Sequence, residues 1–480
     1  MNKPNAPFNE ATSRISAHRG GGALAAALLL GTLLGATGIA QAQSAMGPVP
    51  QPADGSLTLH GVTLYGIVDV GLQYETHGAP YNDYFAAGGN DIVQKDSNKS
   101  QFGATPSNLS QSRIGLQGIE ALGVGDWNAV FKVETYFNPQ SGNISDALKS
   151  LAQNNGRALD AQTANLDSSI AGQIFQQSFV GLSSKTFGSL TFGRQNTLLA
   201  DGIAKYDPQG AAQAFSLIGL SGTTAGGGDT EDRRVDSSLK YVERVGPVHF
   251  GAEYKFNGAS GAENTLVQGN IGFEYLGASV DAYIAHVRDA VAAAALSAAQ
   301  VAGLPALGFS SSNSLAATIS DNTAYSIQAM YNFGAPKIYA GYEHIQFANP
   351  TTPLAAGFDN IGGYKLAFVN NAAFPTDKTL QVFWAGVKYT VLSKLDLAGA
   401  FYGYKQNSYG IGANAGCSTN KAGTCSGTES AVGLSADYRF TKRFDLYAGA
   451  MYTNVAGGLA NGYIFSTNSI DPTIGFRFKF

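Results

Sequence analysis

The chain has 480 residues, a formal net charge of −4 and 13% charged side chains, whereas a typical soluble domain carries about 25%. This mild charge argues against a nucleic-acid partner, and two cysteines are too few for a zinc scaffold or a disulfide-dense fold. The 50 Tyr and Phe residues disfavour a disordered chain, and a bundle of membrane helices is disfavoured because the one long apolar run is N-terminal.

The N-terminus is typical of an export signal. Arg14 and Arg19 precede the apolar run 23–34, and the tripeptide ending at Ala42 offers small residues for cleavage. An uncleaved anchor is the alternative, because the run and its flank are nearly long enough to span a bilayer. The predicted organisation is a cleaved signal peptide at 1–42, a lead-in at 43–56 and the mature fold at 57–480.

The two cysteines, Cys417 and Cys425, lie eight positions apart in a Gly/Ser/Asn-rich stretch. In an exported protein we expect a disulfide that closes a small loop. A reactive dithiol is the competing interpretation, although the spacing matches no redox or metal motif.

Alternation with period two dominates the mature chain and predicts β-strands. In one segment Val248, Phe250 and Ala252 share a face, while His249 and Glu253 occupy the other, so we expect His249 to be polar lining. The predicted strands are 57–75, 109–121, 126–137, 173–184, 188–196, 233–243, 247–256, 264–276, 278–287, 322–333, 336–346, 379–391, 394–405, 428–440, 443–453 and 468–480. Short turns and long loops alternate between these sixteen segments, as in a barrel whose two ends face different spaces. The run 291–304 lies in the fifth long loop and is interpreted as a surface loop, with a short helix as the alternative.

Two architectures accommodate such strands. A soluble sandwich would have strands of about five or six residues, whereas most segments here have the length that a tilted strand needs to cross a bilayer. Aromatic residues such as Trp127, Tyr254 and Tyr438 end many apolar faces, which suits the membrane interfaces. The fold is therefore predicted to be all-β: an antiparallel transmembrane barrel of sixteen strands. A lumen of that width holds water, which predicts a pore.

Several segments also resemble the general porins of Gram-negative bacteria, most closely the β-proteobacterial type. The resemblance is carried by 62–74 (VTLYGIVDVGLQY), 112–134 (SRIGLQGIEALGVGDWNAVFKVE), 178–195, 233–242 and the terminal GFRFKF. It implies a homotrimer in the outer membrane, with each barrel narrowed by its third long loop, which folds into the lumen.

The resemblance also implies a charged constriction. Arg113 and Arg234 match the arginines of strands two and six, while Gln176 stands at the basic position of strand four. Arg194 resembles an arginine at the mouth of the constriction loop. The family's acidic turn is absent at 224–228, so the expected acids are Asp229, Glu231, Asp232 and Asp207. The alternative for each charge is a solvated lumen wall without a special role.

The last residues resemble the family's assembly signal. Phe476, Phe478 and Phe480 alternate with polar residues, and such an end is read by the barrel-assembly machinery. From physical chemistry alone, these rings anchor the strand at the membrane interface.

The function expected from these observations is passive diffusion of small hydrophilic solutes and ions. The alternatives are a solute-specific porin and a mainly structural or adhesive barrel. No enzyme is predicted, because 219–223 misses the last glycine of a nucleophile elbow. No cofactor or metal is expected. The expected partners are further copies of the chain, outer-membrane lipid and lipopolysaccharide, the assembly machinery and small polar solutes.

Overall fold

The protein is described here by a computed structural model. It covers residues 57–77, 100–144, 151–152, 154–158, 174–220, 234–256, 265–361, 363–412, 415, 422–463 and 466–480. The predicted signal peptide and lead-in lie outside these ranges, as do Cys417, Asp229, Glu231 and Asp232.

The described chain forms one sheet that closes into a barrel. Twenty strands belong to the sheet, and sixteen make the wall once β3 and β4 are counted as one interrupted strand and the short β1, β14 and β15 are set aside. The strands are β1 Thr58–Leu59, β2 Val62–Glu75, β3 Gln101–Pro106, β4 Arg113–Ala121, β5 Asn128–Tyr136, β6 Phe175–Ser184, β7 Gly188–Asn196, β8 Arg234–Val245, β9 Val248–Lys255, β10 Leu266–Tyr275, β11 Ala278–Ala294, β12 Ser314–Asn332, β13 Pro336–Ala348, β14 Phe358–Ile361, β15 Tyr364–Asn370, β16 Lys378–Leu392, β17 Leu395–Gln406, β18 Gly427–Arg439, β19 Phe444–Gly457 and β20 Asn468–Lys479. The prediction of a sixteen-stranded antiparallel barrel is confirmed.

The barrel closes where its last strand meets its first. β20 pairs with β2 from Lys479 opposite Ile67 to Thr473 opposite Gln73. Phe480 extends this seam, because its backbone N–H donates to Gly66 (3.0 Å) and its carbonyl accepts from the Gly66 N–H (2.9 Å). The wall therefore has no open edge at the seam, as a sheet in lipid requires.

The two faces of the wall differ as the alternation predicts. On β11 the outward residues Val280 and Ile284 are exposed, whereas the inward Asp281 is buried. An apolar outer surface suits contact with lipid, and the polar inner face lines the lumen. Among the described residues, no helix is long and apolar enough to cross a membrane.

Strand two differs from its prediction. The expected start at residue 109 is wrong, because β3 already pairs with β2 from Gln101 to Pro106 and β4 resumes at Arg113. Between them, residues 107–112 leave the ladder, and Ser107 has a positive φ of 60°. A break of this kind interrupts pairing and moves the chain out of the plane of the sheet.

Beyond the wall, β11 and β12 continue into a compact structure at the end with the long loops. The run 291–304 is not simply a loop, because β11 extends to Ala294 and helix α2 covers Ala298–Leu307. The beginning of β12 pairs in parallel with β15, and β14 pairs with β15. We call this structure, residues 290–320, 358–361 and 363–370, the outer head. Leu315, Ile319 and Leu366 form one part of its core, and Leu304 with Ala367 another.

Candidate functional site: the lumen and its inner loop

The third long loop folds into the lumen. We call its described part, residues 197–220, the inner loop. It begins with helix α1, Leu198–Tyr206, whose N-cap Thr197 accepts a hydrogen bond from Ala200 N. The first N–H groups of a helix have no partner within it, and here the barrel supplies acceptors. Leu198 N donates to Glu253 Oε2 and Leu199 N to Gln268 Oε1, each at 3.1 Å. The helix start is thereby fixed to β9 and β10.

The end of α1 is held by charge. Lys205 Nζ lies 2.6 Å from Glu274 Oε1 and 3.1 Å from Asp281 Oδ2. His249 Nε2 is 2.6 Å from the other oxygen of Asp281, so the expected polar lining lies beneath the helix. The Trp384 indole N–H donates to the carbonyl of Tyr206 at 3.0 Å. These contacts join the loop to β9, β10, β11 and β16.

Asp207 is enclosed between the inner loop and the wall, with 2% of its surface exposed. Its carboxylate accepts hydrogen bonds from the Tyr402 hydroxyl (2.6 Å) and from the backbone N–H groups of Gln209 (3.1 Å) and Ala211 (2.7 Å). Burial raises the pKa of Asp207, while these donors act in the opposite direction. The residue predicted as a constriction acid is therefore an anchor of the loop, and it presents no charge to water.

Apolar packing fills much of the lumen between the inner loop and the wall. Ile203, Leu217 and Ile218 from the loop join a buried cluster with side chains of β11 to β19. The wall members are Ala285, Ala324, Ile345, Phe347, Leu380, Val382, Trp384, Ala400, Tyr402, Tyr404, Ala431 and Met451. The inner loop is therefore packed against β11, β12, β13 and β16 to β19.

The strand break at 107–112 meets the inner loop inside the barrel. Asp69 Oδ2 accepts from Leu109 N (3.0 Å) and Ser110 N (2.7 Å), which fixes the break. Ala214 N donates to the Asn108 carbonyl at 2.9 Å. The loop is thus supported on both sides of the lumen. The sequence analysis missed this second support, since an interrupted strand resembles a loop in its pattern.

Arg113 on β4 and Arg234 on β8 lie close together at one tyrosine. Both contact the Tyr136 side chain, and the Arg234 guanidinium carbon lies 4.6 Å from the centre of its ring. Glu134 lies below them, with its Oε2 3.7 Å from Arg113 Nε and 3.7 Å from Lys132 Nζ. We call Arg113, Lys132 and Arg234 the basic wall. Lys132 was not predicted as a site residue, because the sequence pattern of one strand does not show which charged residues of other strands lie next to it.

Strand four contributes an amide, from a different residue than predicted. The pairing of β5 with β6 shifts between Glu134 and Thr135, and Gln176 is the extra residue of this bulge. Its neighbour Gln177 is buried and donates from Nε2 to Glu134 Oε1 at 3.1 Å. Because Gln177 is uncharged like Gln176, the expectation that strand four carries no cation at this position does not change.

Arg194 forms an ion pair with an acid of β8. Its guanidinium Nη1 lies 2.5 Å from Asp236 Oδ1, and its Nε donates to the Phe175 carbonyl at 3.1 Å.

An acid that the sequence did not single out faces β8 from α1. Asp201 Oδ2 lies 2.5 Å from Lys240 Nζ, and its Oδ1 accepts from Asn196 Nδ2 at 3.0 Å. The acids expected to oppose the arginines, Asp229, Glu231 and Asp232, lie outside the described residues.

The remaining predicted residues concern covalent structure and assembly. Cys425 is disulfide-bonded, whereas its expected partner Cys417 is outside the described residues. Phe476 and Phe478 point outward and are exposed, and the Phe480 ring covers Gly66 at the seam. Within the described ranges, no group of three or more His, Cys, Asp or Glu side chains is placed to hold a metal ion.

Comparison with known proteins adds an independent line of evidence. The family described as Gram-negative porin matches residues 23–458. An outer membrane porin protein of Bordetella pertussis is 31% identical over 199 residues, which cover 41% of this chain and 43% of that protein. The match thus spans less than half the length of this curated relative.

Solved structures share the fold. The anion-selective porin from Comamonas acidovorans aligns with a TM-score of 0.55 at 18% identity, covering 87% of this chain and 99% of that one. The trimer form of OmpT, an outer membrane protein of Vibrio cholerae, aligns with a TM-score of 0.51 at 14% identity, covering 87% and 99%. At such identities the likeness concerns the fold alone.

Proposed function

Since the chain belongs to the family of Gram-negative porins and resides in the bacterial outer membrane, we propose that it forms a water-filled channel for passive diffusion of small hydrophilic solutes and ions, with a preference for anions. Porins are channels, so the proposal places transport, and no catalysis, in the lumen.

The observation that carries the anion preference is the composition of the basic wall. Among the residues that the structure describes, Arg113, Lys132 and Arg234 surround one carboxylate, Glu134, so the described part of this side of the lumen has an excess of positive charge. Lys240 and Asp201 form their own pair and add no net charge. A charged wall in a narrow, low-dielectric passage raises the local concentration of ions of opposite sign. The solved Comamonas structure is of an anion-selective porin, which agrees with this preference.

The test is the reversal potential of the purified protein in a planar bilayer under a KCl gradient. We expect the sign of an anion-preferring channel. Replacing Arg113 with Gln removes one positive charge and shifts the potential toward cations, whereas Glu134→Gln shifts it further toward anions. Lys185→Gln is the matched control, because Lys185 lies on an exposed short turn and the change should leave the potential unaltered.

Three outcomes are distinguishable. A conducting protein whose reversal potential has the sign of a cation-preferring channel refutes the anion preference, while the channel proposal stands. Saturable block by one solute favours a solute-specific porin. Folded protein without conductance refutes the channel altogether.

The assembly proposed is a homotrimer. The Vibrio cholerae structure described as a trimer form supports this, since it shares the fold. Light scattering of the detergent-solubilised protein should give three times the chain mass, and conductance should appear in groups of three steps. A monomer with full conductance would contradict the trimer and leave the channel proposal standing.

The proposed membrane partners are outer-membrane lipid and lipopolysaccharide. The apolar outward face supports this contact, with side chains such as Ile271, Tyr325 and Phe401 exposed on the outer surface.

A further inference from the structure

Tyr136 joins two arginines that come from different parts of the wall. Arg113 lies directly opposite Tyr136 in the pairing of β4 with β5. Arg234 begins β8, and the sheet places β6 and β7 between β5 and β8. Neighbouring strands lie about 4.8 Å apart, so three spacings put the backbones of β5 and β8 about 14 Å from each other. The Arg234 side chain therefore extends across the inner face of two strands to reach Tyr136.

Both the ring and the hydroxyl of Tyr136 take part in the contact. The Arg234 guanidinium carbon lies 4.6 Å from the centre of the ring, which is the geometry of a cation–π contact. Arg234 Nη2 also donates a hydrogen bond to the Tyr136 hydroxyl, and the Arg113 side chain hydrogen-bonds to Tyr136 as well. Because one oxygen accepts from both guanidinium groups, the two donating nitrogens lie within about 6 Å of each other.

This spacing determines how the two charges act on a passing ion. At 0.1 M salt the Debye length is about 10 Å, so two charges about 6 Å apart act on the same ion. Two like charges at that distance also repel each other, and a contact is needed to hold them there. Tyr136 supplies such a contact, with a hydroxyl acceptor and the negative face of its ring.

Away from Tyr136, the Arg234 charge would act on a passing ion less strongly. Asn196 pairs with Arg234 in the ladder of β7 and β8, and its Nδ2 donates to Asp201 Oδ1 at 3.0 Å. Asp201 therefore lies near the base of the Arg234 side chain. A guanidinium that turned back toward its own strand would be drawn to this carboxylate, and the resulting pair would add little positive field to the lumen.

We propose that Tyr136 is a positioning residue that determines how strongly the channel prefers anions, because it holds the guanidinium of Arg234 beside that of Arg113. This inference rests on the proposed function and adds the residue that sets the strength of the preference. Tyr136 is itself uncharged at neutral pH, so its effect on ions passes through the two arginines.

The experiment measures the ratio of chloride to potassium permeability of the purified protein in a planar bilayer under a KCl gradient. Tyr136→Leu removes both the ring and the hydroxyl. We expect it to lower the ratio roughly twofold, as when a unit charge moves from about 4 to about 8 Å from an ion in water. Tyr136→Phe should lower the ratio less, because the ring still attracts Arg234, and it serves if Tyr136→Leu fails to fold. Arg234→Gln removes the charge and should lower the ratio most.

A double variant separates positioning from a general change in the strand or in the width of the lumen. In Arg234→Gln no second guanidinium remains for Tyr136 to hold beside Arg113. Adding Tyr136→Leu to this variant should therefore leave its permeability ratio unchanged. A wider or distorted lumen would instead lower the ratio in both backgrounds, and the two losses would add.

Tyr404→Phe is the matched control. Tyr404 is another inward tyrosine, but its hydroxyl donates to the Leu217 carbonyl at 3.5 Å and its ring belongs to the apolar cluster. Its permeability ratio should equal that of the wild type.

The positioning role is refuted if the wild type prefers anions while Tyr136→Leu and Tyr136→Phe keep its permeability ratio. It is also refuted if the losses add in the double variant, or if Tyr404→Phe lowers the ratio as much as Tyr136→Phe. A wild-type protein that conducts without preferring anions overturns the proposed anion preference, and the role of Tyr136 with it.

Discussion

Asp207 shows how a single carboxylate can hold a loop inside a β-barrel. Its donors come from Tyr402 on the wall and from the inner loop, namely Gln209 N, Ala211 N and the Ser216 side chain, so the residue couples the two. Removing one donor from a buried carboxylate leaves part of its desolvation cost uncompensated.

Tyr402→Phe is therefore expected to lower the free energy of unfolding of the detergent-solubilised barrel by about 1–3 kcal/mol. The ring stays in the apolar cluster, so the loss isolates the hydroxyl. Tyr404→Phe is the control, because its hydroxyl donates to a neutral acceptor, the Leu217 carbonyl, at 3.5 Å. Equal losses in guanidinium titrations of both variants would show that Asp207 is not an anchor.

Individual residues of the site were predictable only where a motif located them. Arg113 and Arg234 followed from the resemblance, and the structure brings both to Tyr136. Lys132 and Asp201 were not predictable, because their relevance depends on the register between strands and on where α1 passes. Asp207 was placed correctly in the loop, but burial of a charged residue cannot be read from a single sequence.

At the scale of the strands, alternation located all sixteen wall elements and failed at their ends. The alanine-rich run after Asp289 has no polar residues to alternate with apolar ones, so the continuation of β11 to Ala294 gave no signal. The break at 107–112 was hidden for a different reason. Its geometry depends on hydrogen bonds to Asp69, a residue of the neighbouring strand.

The seam gives a prediction about the last residue. Deleting Phe480 removes two backbone hydrogen bonds to Gly66 and the ring that covers it. We expect less folded protein in the outer membrane, measured by heat-modifiable gel mobility, with unchanged single-channel conductance of the fraction that folds. The reason is that the Phe480 ring covers Gly66, which pairs with the outward Ile114, whereas the Arg113 side chain lies on the opposite, inward face beside Glu134.

Phe440→Ala is the matched control for that deletion. Phe440 is another exposed aromatic at the short-turn end, and it packs against Phe444 without taking part in the seam. Its loss should have the smaller effect on yield. Equal yields of folded protein from both variants would mean that Phe480 acts only as an aromatic anchor at the membrane interface. Unaltered assembly without Phe480 would contradict its proposed role as a signal for the assembly machinery.

For the molecule as a whole, the inner loop makes the lumen one-sided. The apolar cluster packs the loop against β11, β12, β13 and β16 to β19, while Arg113 on β4 keeps 23% of its side chain exposed. Solutes are thus expected to pass along the basic wall and to be excluded from the space behind the loop.

Cysteine labelling tests this path. In Arg113→Cys, a negatively charged methanethiosulfonate reagent should reach the thiol and reduce the single-channel current. In Met451→Cys the thiol lies in the apolar cluster, where the native side chain is 3% exposed, and the current should not change. Ala431→Cys is an alternative to Met451→Cys, because Ala431 belongs to the same apolar cluster. Similar block at both positions would show that water fills the whole barrel.

The uncharged stretch 290–320 has a consequence for how the protein responds to its surroundings. Dissolved ions screen the basic wall, whose attraction for anions should fade as ionic strength rises. The apolar contacts in the core of the outer head are not weakened in this way. A bacterium moved from fresh water to brine would therefore lose sorting by charge at its surface while the outer head kept its packing.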